Sequence, residues 1–304
     1  MGEKLKSIHF QLLSGGVIAI LAIIPLFPKL PLFGVPGTFV AVRLEDFVIA
    51  FFALLALPIL WQRRRELFAN NLILAILGFW LIGLFSTFSA IFVTHSVSPH
   101  LAALHYLRRI EYFVPFFIVL SAQPDLSKVN NYLKVLILTS VIVVIYGVGQ
   151  IYFGLPVFST ANAEFAKGIP LKFGPEARVN STFAGHYDLA AYTALMLPIL
   201  GGLFFFPPSG GKISGSAAPM SIGASKLIFG ISFGVKQKLV KAAILLIAIA
   251  NLWLLLQTAS RISFISYLAG ATVVLLLLKK RALLILVLVI SILSLLSSSE
   301  LRIR

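Results

Sequence analysis

Long apolar runs separated by short polar segments dominate the chain. A run of about 17–25 apolar residues is long enough to cross the hydrocarbon core of a bilayer as a helix. The pattern contains nine candidates of roughly this length, at residues 12–33, 44–61, 71–93, 108–122, 133–153, 183–206, 242–257, 262–278 and 282–298. No repeat of a fixed length accompanies them. The pattern predicts an all-α polytopic integral membrane protein, with a single membrane domain over residues 1–304 and about nine transmembrane helices.

The first apolar run has two interpretations. It follows Lys4 and Lys6 and is interrupted by Pro25, Pro28 and Pro31, so a cleaved signal peptide is one alternative. No small-x-small cleavage site follows the apolar stretch. We therefore favour an uncleaved first span.

Composition places the chain outside the range of ordinary soluble proteins. Apolar residues make up 59% of it and charged residues 12%, against about 45–50% and about 25% in typical soluble domains. The net charge of +15 does not indicate nucleic-acid binding, because the basic residues lie in short clusters between the apolar runs. The chain has no cysteine, which excludes thiolate metal sites and thiol nucleophiles.

The basic clusters predict the topology, because Lys and Arg are retained in cytoplasmic loops. Five clusters fall on alternate polar segments, namely Lys4 with Lys6 before the first run, then Arg63–Arg65, Lys128 with Lys134, Lys212–Lys241 and Lys279–Arg281. With nine spans, all five face the cytoplasm. The amino terminus is then cytoplasmic and the carboxyl terminus outside. The Ser- and Gly-rich segment 207–240 is predicted to be a flexible cytoplasmic loop.

The stretch 242–278 is apolar except for "QTASR" in its middle. As one helix it would be about 55 Å long, nearly twice the roughly 30 Å hydrocarbon core. Basic clusters at both of its ends also require an even number of crossings between them. We therefore expect the chain to fold back at this motif, with Arg261 at an outer turn.

Other ionisable side chains fall on the predicted outer side. Arg178, His186 and Asp188 stand where the chain re-enters the membrane from the outer loop 154–182. Arginine at mid-membrane costs roughly 2.5–3.5 kcal/mol on insertion scales, so we expect an anionic partner for these arginines. The same side carries Arg43, Glu45, Asp46, His95, His100, His105, Arg108, Arg109 and Glu111. The five-residue spacing of the three histidines does not stack ligands on one helix face, which argues against a metal site.

Three motifs carry a resemblance to a known family. They are "AVRLEDFVIA", "RVNSTFAGHYDLAAYTALMLPIL" and "LLLQTASRISFISYLAG". In this order and spacing they resemble the O-antigen ligase and polymerase-like family of integral membrane glycosyltransferases, from about Arg43 onward. The chain has Gly185, His186 and Tyr187 where that family more often has Asn-Pro-Asn, which suggests a subgroup.

The resemblance implies an enzyme of surface polysaccharide biosynthesis in the bacterial cytoplasmic (inner) membrane. Such an enzyme transfers a glycan from an undecaprenyl diphosphate carrier to a lipid, polysaccharide or protein acceptor at the outer face. Besides this lipid-linked donor and the acceptor, it contacts only membrane lipids. No cofactor, nucleotide sugar or metal is implied.

The resemblance also suggests roles for individual residues. Arg178 and Arg261 match the arginines expected to bind the diphosphate, for which a planar, permanently charged guanidinium is well suited. His186 and Asp188 are weaker candidates for catalysis or for orienting substrate. Candidate donor or acceptor contacts are Arg43, Arg108, Arg109 and Tyr187.

Family members have a large outer loop after these spans, which supplies a histidine and further arginines. We expect the sequence to be a fragment that stops where this loop begins; a short relative that needs a partner chain is the alternative.

Simpler roles and another function class stay open. Arg261 could satisfy carbonyl groups at a helical turn, Arg178 could be solvated beside Glu176, and His186 could bond to the backbone. A polytopic transporter or flippase of an amphiphile is the alternative function, and Gln150 supplies a polar group inside the fifth span.

Overall fold

The structure, a computed structural model, is all-α over the residues that it describes. These are 3–27, 30–38, 41–160, 169–174, 177–205, 235–279, 282, 283, 287 and 289. Within them, extended pairing is limited to isolated bridges between Phe33 and Val42 and between Val157 and Leu171. The predicted all-α class is confirmed for this part of the chain.

Two of the first helices begin at polar capping groups. They are α1 (Glu3–Leu26), α2 (Leu44–Gln62), α3 (Arg64–Phe68), α4 (Asn71–Phe88), α5 (Pro99–Glu111) and α6 (Val114–Ala122), with a π-helical turn at Ser89–Val93 after α4. The Asp46 carboxylate accepts the backbone N–H of Arg43 (2.9 Å) at the start of α2. The Asn70 side chain accepts that of Leu72 (2.9 Å) at the start of α4. Each bond satisfies a backbone donor that the helix itself leaves free.

The later helices are α7 (Leu126–Phe153), α8 (His186–Phe205), α9 (Val235–Gln257) and α10 (Arg261–Leu277). Only three residues separate α9 from α10. Among them Ala259 has a φ of 51°, in the left-handed region, and the Ser260 side chain accepts the backbone N–H of Ser263 to cap α10. The "QTASR" motif thus ends one helix and begins the next.

The described helices form two compact units. The amino-terminal unit contains α1 as far as Ile24 and the segment from Leu30 to Tyr132. The carboxyl-terminal unit contains residues 25–27, the segment from Leu133 to residue 160 and the described residues after 168. An apolar pattern identifies helices, but it does not reveal which helices share a core.

The amino-terminal unit is built around α1, α2 and α6. Its buried core combines Leu13, Val17, Ile20, Ile49, Ala56, Ile118, Ala122 and Tyr132. The imidazole of His9 bonds the carbonyl oxygen of Leu55 (2.7 Å), and Gly16 lies against the ring of Phe52. Because these contacts advance along α1 while they recede along α2, the two helices are antiparallel.

The predicted fourth span, 108–122, is two helices in the structure. Helix α5 ends at Glu111, and α6 has nine residues, about 14 Å at 1.5 Å per residue. Pro115 near the start of α6 lacks the N–H that would bond the preceding turn, so the helix is interrupted there. Arg108 lies beside Asp46 at one end of α2, and Leu120 lies beside Arg63 at the other. Together α5 and α6 therefore run along α2 in the same direction.

In the carboxyl-terminal unit, α8 packs against both α9 and α10. Near its amino end, Ala190 shares a cluster with Leu255 and Phe264. Near its carboxyl end, Leu200 shares one with Ile244. Gly270 of α10 lies against Pro198, so α10 runs parallel to α8 while α9 is antiparallel to both. The chain therefore reverses direction at "QTASR", as the sequence predicts.

Within the described residues, six helices are long and apolar enough to cross a membrane, which makes a multi-pass membrane protein plausible. They span Ser7–Leu26, Leu44–Gln62, Asn71–Val93, Ser127–Phe153, His186–Phe205 and Lys238–Gln257. Helix α10 is also apolar but shorter, at 17 residues. The predicted span 282–298 and the predicted loop 207–240 lie mostly outside the described residues. The end of that loop, from Val235, already belongs to α9.

Candidate functional site

The segment before α8 is fastened to α7 by one amide. Gln150 is 1% exposed. Its Nε2 donates to the carbonyl oxygens of Pro156 (3.2 Å) and Ser181 (3.1 Å) and to Oδ1 of Asn180 (3.2 Å). Its Oε1 accepts the backbone N–H of Ser181 (2.9 Å). Gln150, the polar group inside the predicted fifth span, therefore acts as a structural clamp. The only sign of this role in the sequence is that a single amide side chain lies within an apolar run.

Asn180 and Ser181 complete this clamp. The Asn180 amide donates to the carbonyl oxygens of Phe158 and Phe183, both at 2.9 Å. The Ser181 hydroxyl donates to the carbonyl oxygen of Val143 (2.7 Å). Ser181 itself has a φ of 50°, an unfavourable backbone conformation for a residue with a side chain, which persists where surrounding bonds enforce it. The residues that lead into α8 are thus held in one conformation.

Apolar packing fixes the same segment from the other side. Val179 and Phe183 belong to a buried cluster with Val143 of α7, Leu189 of α8 and Leu254 of α9. The segment therefore lies at the end of the unit where α9 finishes and α8 begins. This position agrees with the predicted re-entry point.

Arg178 and His186 are in direct contact at this end. Nη1 of Arg178 lies 3.0 Å from Nε2 of His186, the first residue of α8. Because a guanidinium only donates, Nε2 is the acceptor, which leaves the imidazole proton on Nδ1. His186 thus bonds to a side chain and not, through Nε2, to the backbone. The Tyr187 ring lies 4.0 Å from the imidazole, centroid to centroid.

Asp188 lies in the first turn of α8 and is exposed, as is Tyr187. A carboxylate there interacts favourably with the positive amino end of the helix dipole. It also lies close enough to His186 for an electrostatic interaction with it. Asp188 is therefore available to a ligand, but stabilisation of the helix accounts for its position equally well.

Arg261 is the first residue of α10 and is exposed. It lies at the same end of the carboxyl-terminal unit as Arg178, because Phe264 and Ala190 pack together there. Among the described residues, neither arginine forms an ion pair; Glu176 lies outside them. These two cationic side chains thus share one end of the unit with the amino ends of α8 and α10, the carboxyl ends of α7 and α9, and Asp188. The two guanidinium groups, and not the helix dipoles, are what favour an anion there.

The other predicted contacts lie in the amino-terminal unit and are differently engaged. Arg43 lies 3.5 Å from Glu45. Arg108 bonds Asp46 (3.0 Å) and lies 3.9 Å from Glu111. Asp46, Arg108 and Glu111 line a cavity of about 350 Å³, which His105 also lines.

Arg109, by contrast, is exposed beside these ion pairs. Within the described part of the chain, no three His, Asp or Glu side chains are grouped so that they could hold a metal ion.

Comparison of the chain with family models, curated proteins and solved structures returned no match. The geometry of the site and the sequence motifs are therefore what indicate a function.

Proposed function

We propose that the carboxyl-terminal unit binds the diphosphate of a lipid-linked glycan, and that the protein transfers this glycan from an undecaprenyl diphosphate carrier to an acceptor. The observation that carries the proposal is the pair Arg178 and Arg261, which stand without acidic partners among the described residues at one end of the unit. A diphosphate supplies the anionic partner that these two arginines lack among the described residues. The motifs that resemble O-antigen ligases and polymerases favour the same substrate.

The chemistry follows from the contacts of Arg178. The diphosphate competes with His186 for the guanidinium, since a charged acceptor forms the stronger hydrogen bond. Release of Nε2 then leaves a neutral imidazole that can take the proton of an acceptor hydroxyl. The hydroxyl oxygen forms the new glycosidic bond as the bond between the anomeric carbon and the phosphate oxygen breaks. Arg178 and Arg261 stabilise the charge on the departing diphosphate.

The proposed topology places this end on the outer face of the bacterial cytoplasmic membrane. In this topology the chain crosses the membrane nine times, with the amino terminus in the cytoplasm and the carboxyl terminus outside. The alternation of the basic clusters supports it, as does the reversal between α9 and α10, which puts Arg261 on the side opposite Lys238 and Lys241. On that side the carrier would meet a lipid, polysaccharide or protein acceptor.

The test compares three variants of equal charge change in purified protein. Binding of an undecaprenyl diphosphate-linked oligosaccharide is measured by native mass spectrometry. Arg178→Gln and Arg261→Gln should each weaken binding by about tenfold or more, as expected for loss of a charge-assisted hydrogen bond. Lys172→Gln, an exposed change in the outer loop, should alter it less than about twofold.

Glycan transfer to the acceptor is then measured in membranes that carry each variant. Loss of transfer with Arg178→Gln and Arg261→Gln, at normal protein levels, is the expected result. Unchanged binding and transfer in both arginine variants would overturn the proposal. Arginine-dependent binding with movement of the carrier across vesicles, and no covalent product, would instead favour the transporter alternative.

A further inference from the structure

An apolar groove of about 700 Å³ runs along the amino-terminal unit between α2, α3, α4 and α6. Leu57, Leu60, Leu77 and Phe117 contribute to its walls. It follows α2 from Ala53 to Trp61, a rise of about 12 Å, and continues to Arg64 at the start of α3. This length is most of one leaflet of a bilayer, roughly 15 Å or half of the hydrocarbon core. The groove can therefore hold most of one acyl chain.

One end of the groove is cationic. Arg64 lines it there, with its guanidinium carbon 5.0 Å from the centroid of the Trp61 ring. One of its N–H groups donates to the carbonyl oxygen of Trp61 (3.0 Å), and a guanidinium has five donors in all. Arg63 is engaged by Glu66 at 2.9 Å, which leaves Arg64 and its neighbour Arg65 to supply the excess charge.

We propose that this groove binds an anionic phospholipid, with one acyl chain between α2, α4 and α6 and the phosphate on Arg64. The apolar length alone would suit any lipid. The charge at its end selects an anionic headgroup, and a tryptophan at that level is typical of the membrane interface. The stacked ring holds the guanidinium at the mouth, so that its remaining N–H groups are free to meet two phosphate oxygens.

The experiment uses the protein's own fluorescence. The chain has three tryptophans; Trp61 and Trp80 line the groove, and Trp253 on α9 is removed by Trp253→Phe. The purified protein is titrated in detergent with phosphatidylglycerol or phosphatidylcholine whose acyl chains carry bromine, a quencher. Quenching should reach half of its maximum at a concentration about fivefold lower for phosphatidylglycerol, as one basic residue near anionic lipid predicts.

Arg64→Gln should remove this preference, whereas the matched control Arg65→Gln, outside the groove, should retain most of it. Ala53→Phe adds a ring within the groove and should lower the number of phospholipids retained in native mass spectra, whatever their headgroup. Equal quenching by both lipids in the parent would overturn the proposal, since it indicates lipid around the protein and not in a selective site. Equal losses with Arg64→Gln and Arg65→Gln, or full retention in Ala53→Phe, would overturn it as well.

Discussion

The two compact units use different interactions for their polar side chains: ion pairs in one and neutral hydrogen bonds in the other. In the amino-terminal unit, charges pair near helix ends, as in Arg108 with Asp46 at 3.0 Å. In the carboxyl-terminal unit, neutral groups bond across helices, as in Ser140 of α7 with Asn251 of α9 at 2.8–3.0 Å. In the carboxyl-terminal unit, 44% of the membrane-length segment of α7 and 39% of that of α8 are buried, against 17% in α2 of the amino-terminal unit. Helices α9 and α1 are alike at 22%.

The contrast follows from the cost of desolvation. A buried neutral hydrogen bond can replace the water that its groups lose, whereas a buried ion pair often fails to recover the desolvation cost of its charges. The well-covered unit is therefore built with amides and hydroxyls. In the described part of the chain, Arg178 and Arg261 of this unit form no ion pair. Their charges are therefore available to a ligand.

The largest expected effect comes from Gln150→Leu, which removes the clamp from the more buried unit. The substitution leaves the backbone N–H of Ser181 without its acceptor and Oδ1 of Asn180 without its donor. At about 1–3 kcal/mol per unsatisfied group, the free energy of unfolding should fall by about 3 kcal/mol. Denaturant titration in micelles, followed by circular dichroism, measures it.

The matched control is Gln257→Leu at the exposed end of α9, which should change that free energy by less than about 0.5 kcal/mol. Equal losses in the two glutamine variants would remove the contrast between a clamp and an ordinary polar residue.

Replacement of glycine by alanine should lower the free energy of unfolding at one position and raise it at another. A Cβ at Gly270 would lie 2.7 Å from Cγ of Pro198, whose ring cannot move aside, so Gly270→Ala should destabilise by about 1–2 kcal/mol. Gly78 of α4 has no neighbour within 4 Å, and Gly78→Ala should stabilise by about 0.5–1 kcal/mol through helix propensity. Thermal unfolding in matched micelles measures both. A gain in Gly270→Ala would show that α8 and α10 are not closely packed.

A smaller effect is expected for the ion pair at the start of α2. Arg108→Ala removes the bond to Asp46 and should cost about 1 kcal/mol, because both side chains are still partly solvated. Arg109→Ala removes the same charge from an exposed neighbour and should cost less than about 0.5 kcal/mol. Comparable costs would assign the effect to net charge and not to the pair.

The smallest effect should come from Glu66→Gln, which breaks the pair between Arg63 and Glu66. The carboxylate side chain is 68% exposed, so we expect a loss of about 0.2–0.5 kcal/mol at low salt. The loss should vanish at about 1 M salt, where the screening length is about 3 Å. A loss that persists at high salt would mean that this pair is not a solvated surface interaction.

Much of the helical fold could be predicted from the sequence, because apolar length alone reveals a membrane helix. The predicted boundaries at 44 and 71 coincide with the starts of α2 and α4. Those at 133 and 242 are too late, since α7 begins at Leu126 and α9 at Val235. Beyond the hydrocarbon core a helix continues with polar residues, and there the apolar pattern carries no information about where it ends.

The candidate site was predictable only in part. Arg178 and His186 are eight residues apart in one segment, and Arg261 interrupts an apolar stretch, so both features are visible locally. The pairing of Gln150 with Ser181 depends on how α7 and the loop come together, which no local pattern encodes. The separation of Arg43 and Arg108 from Arg178 into different units is a tertiary property of the same kind.

The clamp also imposes an order of assembly on the growing chain. Gln150 is synthesised 31 residues before Ser181, so α7 is complete before its partner exists. Because the amide lies three residues from the end of α7 at Phe153, interfacial water can satisfy it in the meantime. Helix α7 can thus enter the bilayer first, and the ribosome must extend the chain through the loop before the rigid end of the unit can close.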